Sequence, residues 1–315
     1  MTMRVDWLRG CGTALVTPFT ADGVGGGPAG PRLDEARVRA LVERQIAGGV
    51  GLLVPCGTTG EAMTMTPEEQ LRVLRLTVEV GRGRARVLAG VGSNSTAVTI
   101  ERAKSARAAG VDGILVVAPF YNKPTQAGLI AHFTAVAAAV PGLPVVLYNV
   151  PSRTSSNIQA PTALALAREV ETIVGVKEAS GDLTQIMAIL RGRPEGFRVL
   201  SGDDAVTLPL IALGADGIIS VVANEVPDLM ARLCELALQG NWSAARALHY
   251  RLLPLMEANF LESNPGPVKA AMALLGLLEE QLRLPLVPVE DKTRTRLREV
   301  LHELGVLARP AHVAA

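Results

Sequence analysis

The chain has 315 residues, with 31 basic against 30 acidic side chains and a formal charge of +1, and no basic run with interleaved aromatics suits it to a nucleic-acid backbone. Hydrophobic residues make up 49% but aromatic ones only 3%, which calls for a core of Val, Leu, Ile and Ala and argues against an aromatic-rich β-sandwich. Apolar runs are strand-length, far short of the roughly 20 residues of a membrane span, and Met1–Gly10 lacks the apolar stretch of a signal peptide; a cytoplasmic protein is expected.

Along the chain, short β-branched runs alternate with amphipathic stretches in about eight βα units, the mark of a parallel sheet. Strands are predicted at Gly12–Phe19, Val50–Gly57, Arg86–Gly92, Gly113–Pro119, Pro144–Val150, Ile173–Glu178, Arg198–Gly202 and Gly217–Val222. Between them Thr66-Pro67-Glu68-Glu69 reads as a helix start, and Ala109-Gly110 and Leu213-Gly214 as helix ends. Eight such units close into a barrel, and no G-x-G-x-x-G follows an early strand to suggest a dinucleotide site. The expected class is α/β: a (β/α)8 TIM barrel over residues 1–224, its last helix running to about 238, and a C-terminal helical region over 239–315. Helices are predicted there at Val226–Leu238, Ser243–Leu261, Pro267–Leu278 and Asp291–Leu304. Asp22–Pro31 is too rich in Gly and Pro for helix or strand and reads as a loop at the barrel's C-terminal rim.

Barrel chemistry sits where an apolar strand turns polar at its C-terminal end, and four places qualify. In Ile173–Glu178, alternation puts Lys177 on one face with Ile173 and Gly175, with Gly175 leaving room beneath the lysine stem. Only five of the 31 basic residues are lysines, and Lys177 alone lies inside an apolar strand, where burial favours the neutral amine that attacks carbonyls. A lysine paired with a carboxylate at the barrel mouth fits the same placement. Pro55–Glu61 offers glycines and the hydroxyls of Thr58 and Thr59 for a carboxylate, or simply a turn and a helix cap. Tyr148 shares a face with Val146, toward the lumen, and Arg153 presents a fork suited to a carboxylate; a structural tyrosine and a rim ion pair are the alternatives. Tyr121 adds a second phenol in a Pro-bounded loop.

The remaining reactive types are scattered. Cys11, Cys56 and Cys234 fit no disulfide or zinc pattern and read as packed thiols. His132, His249, His302 and His312 lie in helical or terminal stretches, so no metal is expected.

Taken together, GTTGE at Gly57–Glu61, YNVPSRT at Tyr148–Thr154, GVKEASGD at Gly175–Asp182, SGDD at Ser201–Asp204 and NPGPVK at Asn264–Lys269 resemble the dihydrodipicolinate synthase family, in order over nearly the whole chain. The wider family includes N-acetylneuraminate lyase and the 2-keto-3-deoxy sugar-acid aldolases, which share the barrel and its Schiff-base lysine. The resemblance implies that Lys177 condenses with pyruvate, with no other cofactor, and that the enamine attacks L-aspartate 4-semialdehyde to give 4-hydroxy-tetrahydrodipicolinate, the entry step to diaminopimelate and lysine. It implies a proton relay of Thr59, Tyr148 and a neighbouring subunit's Tyr121, a pyruvate carboxylate held by Thr58 and Thr59, and a semialdehyde carboxylate held by Arg153. Gly202 and Ile219 would line the pocket with backbone groups, and a residue lent across an interface implies a homo-oligomer, in this family a tetramer built from dimers. Arg153 favours the synthase over the sugar-acid lyases, whose substrates need hydroxyl contacts; a barrel that binds a keto acid without catalysis is a further alternative. Two departures stand out: the Asp22–Pro31 stretch is longer than the family's usual loop, and Phe120 and Val98 occupy places where lysine-inhibited relatives carry a tyrosine and an acid. Weak or absent feedback by lysine is the implication.

Overall fold

The computed structural model describes residues 3, 5–20 and 30–308, so of the Asp22–Pro31 stretch all but Gly30 and Pro31 lies outside the described residues. Eight parallel strands close in sequence order into a barrel: β1 (Gly10–Ala14), β2 (Leu52–Val54), β3 (Arg86–Gly90), β4 (Gly113–Val117), β5 (Val145–Asn149), β6 (Ile173–Glu178), β7 (Arg198–Ser201) and β8 (Gly217–Ser220). Around them run α1 (Glu35–Ala47), α2 (Pro67–Gly81), α3 (Thr96–Ala109), α4 (Gln126–Ala139), α5 (Pro151–Thr154), α6 (Ala160–Glu169), α7 (Leu183–Gly192), α8 (Thr207–Ala212) and α9 (Pro227–Leu238). Helices α10 (Trp242–Ala258), α11 (Gly266–Leu274) and α12 (Asp291–Leu304) follow. The fold is the TIM barrel with C-terminal helices that the strand count foretold. No helix among the described residues is long and apolar enough to cross a membrane.

Most strands are shorter than the apolar runs that announce them. β2 ends at Val54 because Pro55 has no N–H for the ladder and Cys56 turns to a left-handed φ of 58°. Barrel closure depends on Gly217, paired with Gly10 across β1 and β8. Its φ is +149°, and a Cβ there would stand 2.0 Å from the Gly10 carbonyl oxygen. The helix signals hold in detail: Glu69 N donates to Thr66 Oγ1 at 3.3 Å and Thr66 N donates to Glu69 Oε2 at 2.9 Å, a reciprocal cap on α2.

Inward residues of alternate positions, including Val54, Leu88, Leu115, Val146, Tyr148, Leu200 and Ile219, pack as one cluster inside the barrel, while the outward faces pack on the helices. The alternation read for β6 needs correction. A bulge against β5 puts Ile173 opposite Val145 but Gly175 opposite Val146. The extra residue sends Val174 to the interior cluster and leaves Ile173 and Val176 packed outward, so Lys177 does not share Ile173's face. Helix α10 also stops at Ala258, short of the predicted Leu261. That frees residues 260–264 to turn over the barrel mouth, where they line the cavity described next.

Candidate active site

A cavity of about 580 Å³ opens at the C-terminal ends of the strands, and Lys177 lies in its wall. β6 delivers the lysine, 5% exposed, directly beside Tyr148 of β5 in register. The Lys177 Nζ sits 4.3 Å from the centre of the Tyr148 ring, a cation–π distance for the ammonium that also holds the amine in place. Among the described residues no carboxylate pairs with it. Its neighbour Glu178 points to the other face, where Asn149 Nδ2 and the Ser180 N–H donate to it at 3.1 and 2.7 Å and burial raises its carboxyl above the usual range.

The room for the lysine stem comes from a different glycine than expected. A Cβ on Gly175 would stand 2.7 Å from the Arg198 carbonyl oxygen, so that glycine serves the close approach of β7. A Cβ on Gly202 would stand 3.0 Å from Lys177 Cε, so it is Gly202 that leaves the stem its space.

Thr58, Thr59, Tyr148, Arg153, Lys177 and Gly202 all line this cavity. Pro151 starts the short α5, and Thr154 Oγ1 donates to the Val150 carbonyl at 3.1 Å, which fixes the turn that carries Arg153. The Arg153 side chain is exposed and pairs with no acid among the described residues, so its charge is available to a ligand. Thr59 and Tyr148 share the wall without a hydrogen bond between them. A second, more apolar space of about 310 Å³ adjoins the first, sharing Tyr148 and Arg153 and reaching Phe120.

Two sequence-predicted residues are not brought there. Ile219 does not line the cavity: it is 1% exposed on β8, in the interior cluster, and Val221 takes the wall position two residues on. Tyr121 stands out from the chain, 87% exposed at a left-handed φ of 73°, away from both spaces. Cys56 is a buried thiol pushed up to about 12 by that burial, the opposite of an activated nucleophile. No group of three or more His, Cys, Asp or Glu side chains able to hold a metal occurs among the described residues.

Sequence reasoning missed what holds the site together. Glu61, at the end of the Gly57–Glu61 loop and left-handed at φ 52°, forms a wholly buried ion pair with Lys269 of α11. Lys269 Nζ also donates to the Gln281 carbonyl at 2.8 Å and lies 4.4 Å over the Phe19 ring. Burial pushes the Lys269 ammonium down to about 8 against the pull of Glu61. The Arg283 N–H donates to Glu61 Oε2 at 3.1 Å, while its guanidinium forks onto Glu69 at 2.6 and 2.7 Å. Asn264 Nδ2 donates to Thr59 Oγ1 at 2.9 Å. On the far side, Asp204 accepts from Ser220 Oγ and from the Val221 N–H at 2.9 Å, shaping the loop after β8; burial pushes its carboxyl up to about 6. NPGPVK and SGDD were visible as motifs, but partners 205 and 16 residues away were not.

A closed parallel barrel with an unpaired lysine at the end of its sixth strand, facing a tyrosine and an open arginine, is the framework of a class I aldolase-type lyase. The model of the dihydrodipicolinate synthetase family matches residues 7–304. The 4-hydroxy-tetrahydrodipicolinate synthase of Koribacter versatilis is 52% identical over 301 residues, covering 95% of this chain and 97% of that protein. Among solved structures, a dihydrodipicolinate synthase variant described as monomeric is 41% identical with a TM-score of 0.91, covering 96% of this chain and 98% of its own. The chloride-inhibited dihydrodipicolinate synthase of Acinetobacter baumannii, complexed with pyruvate, is 40% identical with a TM-score of 0.90, covering 95% of this chain and all of its own. The chain belongs to the dihydrodipicolinate synthetase family.

Lys269→Met strands a buried carboxylate at Glu61 and is expected to cost about 3–5 kcal/mol in urea unfolding. Adding Glu61→Gln should recover most of it. A loss below about 1 kcal/mol in the single variant, the scale of an exposed pair, would show that the tether is not structural.

Proposed function

We propose that this chain condenses pyruvate with L-aspartate 4-semialdehyde to give 4-hydroxy-tetrahydrodipicolinate, with Lys177 as the Schiff-base residue. The observation that carries the reading is the unpaired, buried amine of Lys177 4.3 Å from the Tyr148 ring centre, in one cavity with the uncommitted Arg153. Its sequence relatives at 44–52% identity bear the synthase name.

The neutral Lys177 amine attacks the pyruvate keto carbon; the carbonyl oxygen leaves as water and an imine remains. Loss of a methyl proton gives the enamine, whose terminal carbon forms the new bond to the semialdehyde carbonyl carbon, and the resulting alkoxide takes up a proton. Tyr148 and Thr59, with Tyr121 of the partner subunit, are the groups proposed to carry these protons; binding of substrate is what draws hydroxyls in a resting site into hydrogen-bonding distance. The Thr58 and Thr59 loop offers its hydroxyls and N–H groups to the pyruvate carboxylate, and Arg153 offers its fork to the semialdehyde carboxylate. Gly202 contributes its backbone to the wall. Cyclisation by the semialdehyde's own amine releases the product and returns Lys177. No cofactor beyond this covalent imine is needed.

The outward Tyr121 fits a site completed by a second copy of the chain, so a homo-oligomer, a tetramer of paired dimers, belongs to the proposal, as does a cytoplasmic location. A sugar-acid aldolase is the second reading, and Arg153 is the feature that speaks against it: a second carboxylate clamp suits a semialdehyde acid better than a polyhydroxy aldehyde.

In an assay coupled to a downstream reductase, Arg153→Ala should lose roughly 10²-fold or more in kcat/KM for the semialdehyde, with the pyruvate KM little changed. An equal loss toward both substrates would remove Arg153 from the clamp. In the same assay lysine should inhibit weakly or not at all, since apolar Phe120 and Val98 offer its ammonium no partner; a rate halved by sub-millimolar lysine would refute this.

A further inference from the structure

Asn149 stands one step beyond Tyr148 on β5, Glu178 one step beyond Lys177 on β6, and the two are paired in register. Alternation turns both away from the lumen, and both are buried, 0% and 1% exposed. The Glu178 carboxyl meets no cation there. Its oxygens accept only from uncharged donors: Asn149 Nδ2 at 3.1 Å to each, the Ser180 N–H at 2.7 Å and Gln185 Nε2 at 3.3 Å. A buried acid without a cation is a costly choice for packing alone. What it supplies is direction, because a carboxylate accepts and never donates.

The Ile158 N–H, which can only donate, binds Asn149 Oδ1 at 2.8 Å and so turns Asn149 Nδ2 toward Glu178. The same Nδ2 donates to Asn157 Oδ1 at 2.8 Å. Asn157 Nδ2 donates to Gln185 Oε1 at 2.9 Å, and Gln185 Nε2 returns to Asn157 Oδ1 at 3.2 Å. The chain thus leaves β5 at Asn149 and comes back to the side chain of Asn149 at residues 157 and 158. The segment between them carries Arg153 to the cavity. Lys177 has strands bonded on both sides to hold it, whereas Arg153 has only this closed loop.

We infer that Asn149 is a positioning residue for the Arg153 clamp: it gathers both ends of the Arg153 loop at the end of β5, and Glu178 holds Asn149 in the orientation that does so. The inference rests on the carboxylate-binding role proposed above for Arg153. Neither Asn149 nor Glu178 lines the cavity; both act through the loop.

A polarity swap tests this. Asn149→Asp sets a second carboxylate against Glu178 and removes the donated contacts, while the Ile158 N–H keeps its acceptor. Asn149→Asp/Glu178→Gln exchanges donor for acceptor across the pair, and once the Asn157 and Gln185 amides turn over, each again meets a partner of opposite polarity. In the reductase-coupled assay Asn149→Asp should raise the semialdehyde KM about 10-fold, the scale of a clamp displaced by a fraction of an ångström, with borohydride trapping of pyruvate unchanged. The double variant should return that KM to within about twofold of wild type, and in an Arg153→Ala background Asn149→Asp should add nothing. An unmoved semialdehyde KM in Asn149→Asp would overturn the inference. So would an equal loss of pyruvate trapping, which would mean that the pair serves Lys177 or the fold. A double variant as poor as the single one, or a further loss on top of Arg153→Ala, would also overturn it. Should Asn149→Asp not fold, Glu178→Gln, which brings amide against amide without a second carboxylate, decides by the same split between semialdehyde KM and pyruvate trapping. Wild-type enzyme that fails to condense the semialdehyde while still trapping pyruvate would refute the assigned reaction instead, and the positioning role of Asn149 with it.

Discussion

The buried ion pair between Glu61 and Lys269 ties the second barrel loop to a helix more than 200 residues later, and the site depends on that tie. Both side chains have lost all contact with water. Desolvation of two charges is costly and is offset only when every remaining donor and acceptor is used. Here it is: Gln281, Arg283 and the Phe19 ring complete the shell around the pair. An apolar pair of the same volume would fill the space as well, but it would leave the Arg283 N–H without an acceptor beside the left-handed turn at residue 61.

From this tie the division of labour in the chain follows. The barrel supplies Lys177 and Tyr148 from adjacent strands whose register is set by the ladder, and Gly202 from just past β7, where its N–H donates to the Glu178 carbonyl at 2.7 Å. The C-terminal segment supplies the lid of the cavity, residues 260–264, and the tethers that hold the Gly57–Glu61 loop. The helices after the barrel share one apolar cluster with β1, β8 and α9, and α11 also reaches the Gly57–Glu61 loop.

Much of this could be read from the chain beforehand. Strand periodicity and turn residues give the eight βα units, and β6 is found with the bounds read for it, Ile173–Glu178. Lys177 and Tyr148 were legible because each breaks an apolar strand at its polar end. Local signals failed where the deciding atom belongs to another strand or segment. The β5–β6 bulge is a property of a pair of strands, so period-2 alternation misplaced Ile173. Gly175 reads as space for the lysine, but the atom it avoids is the Arg198 carbonyl. Ile219, which the resemblance put in the pocket wall, is buried in the packed interior instead. Asn264 and Lys269 were visible only as the ends of the NPGPVK motif, and only the fold reveals Thr59 and Glu61 as their partners. Tyr121 is exposed and lines neither space, a placement that local sequence could not reveal.

The central claim is that the Lys177 amine forms the bond to the keto acid. Borohydride reduction in the presence of pyruvate, followed by peptide mass mapping, tests it most directly. One pyruvate-derived adduct per chain is predicted, on the peptide that contains Lys177, and none in Lys177→Arg. An adduct on Lys123 or Lys269 in its place, or condensation that proceeds with no trapped species, would contradict it.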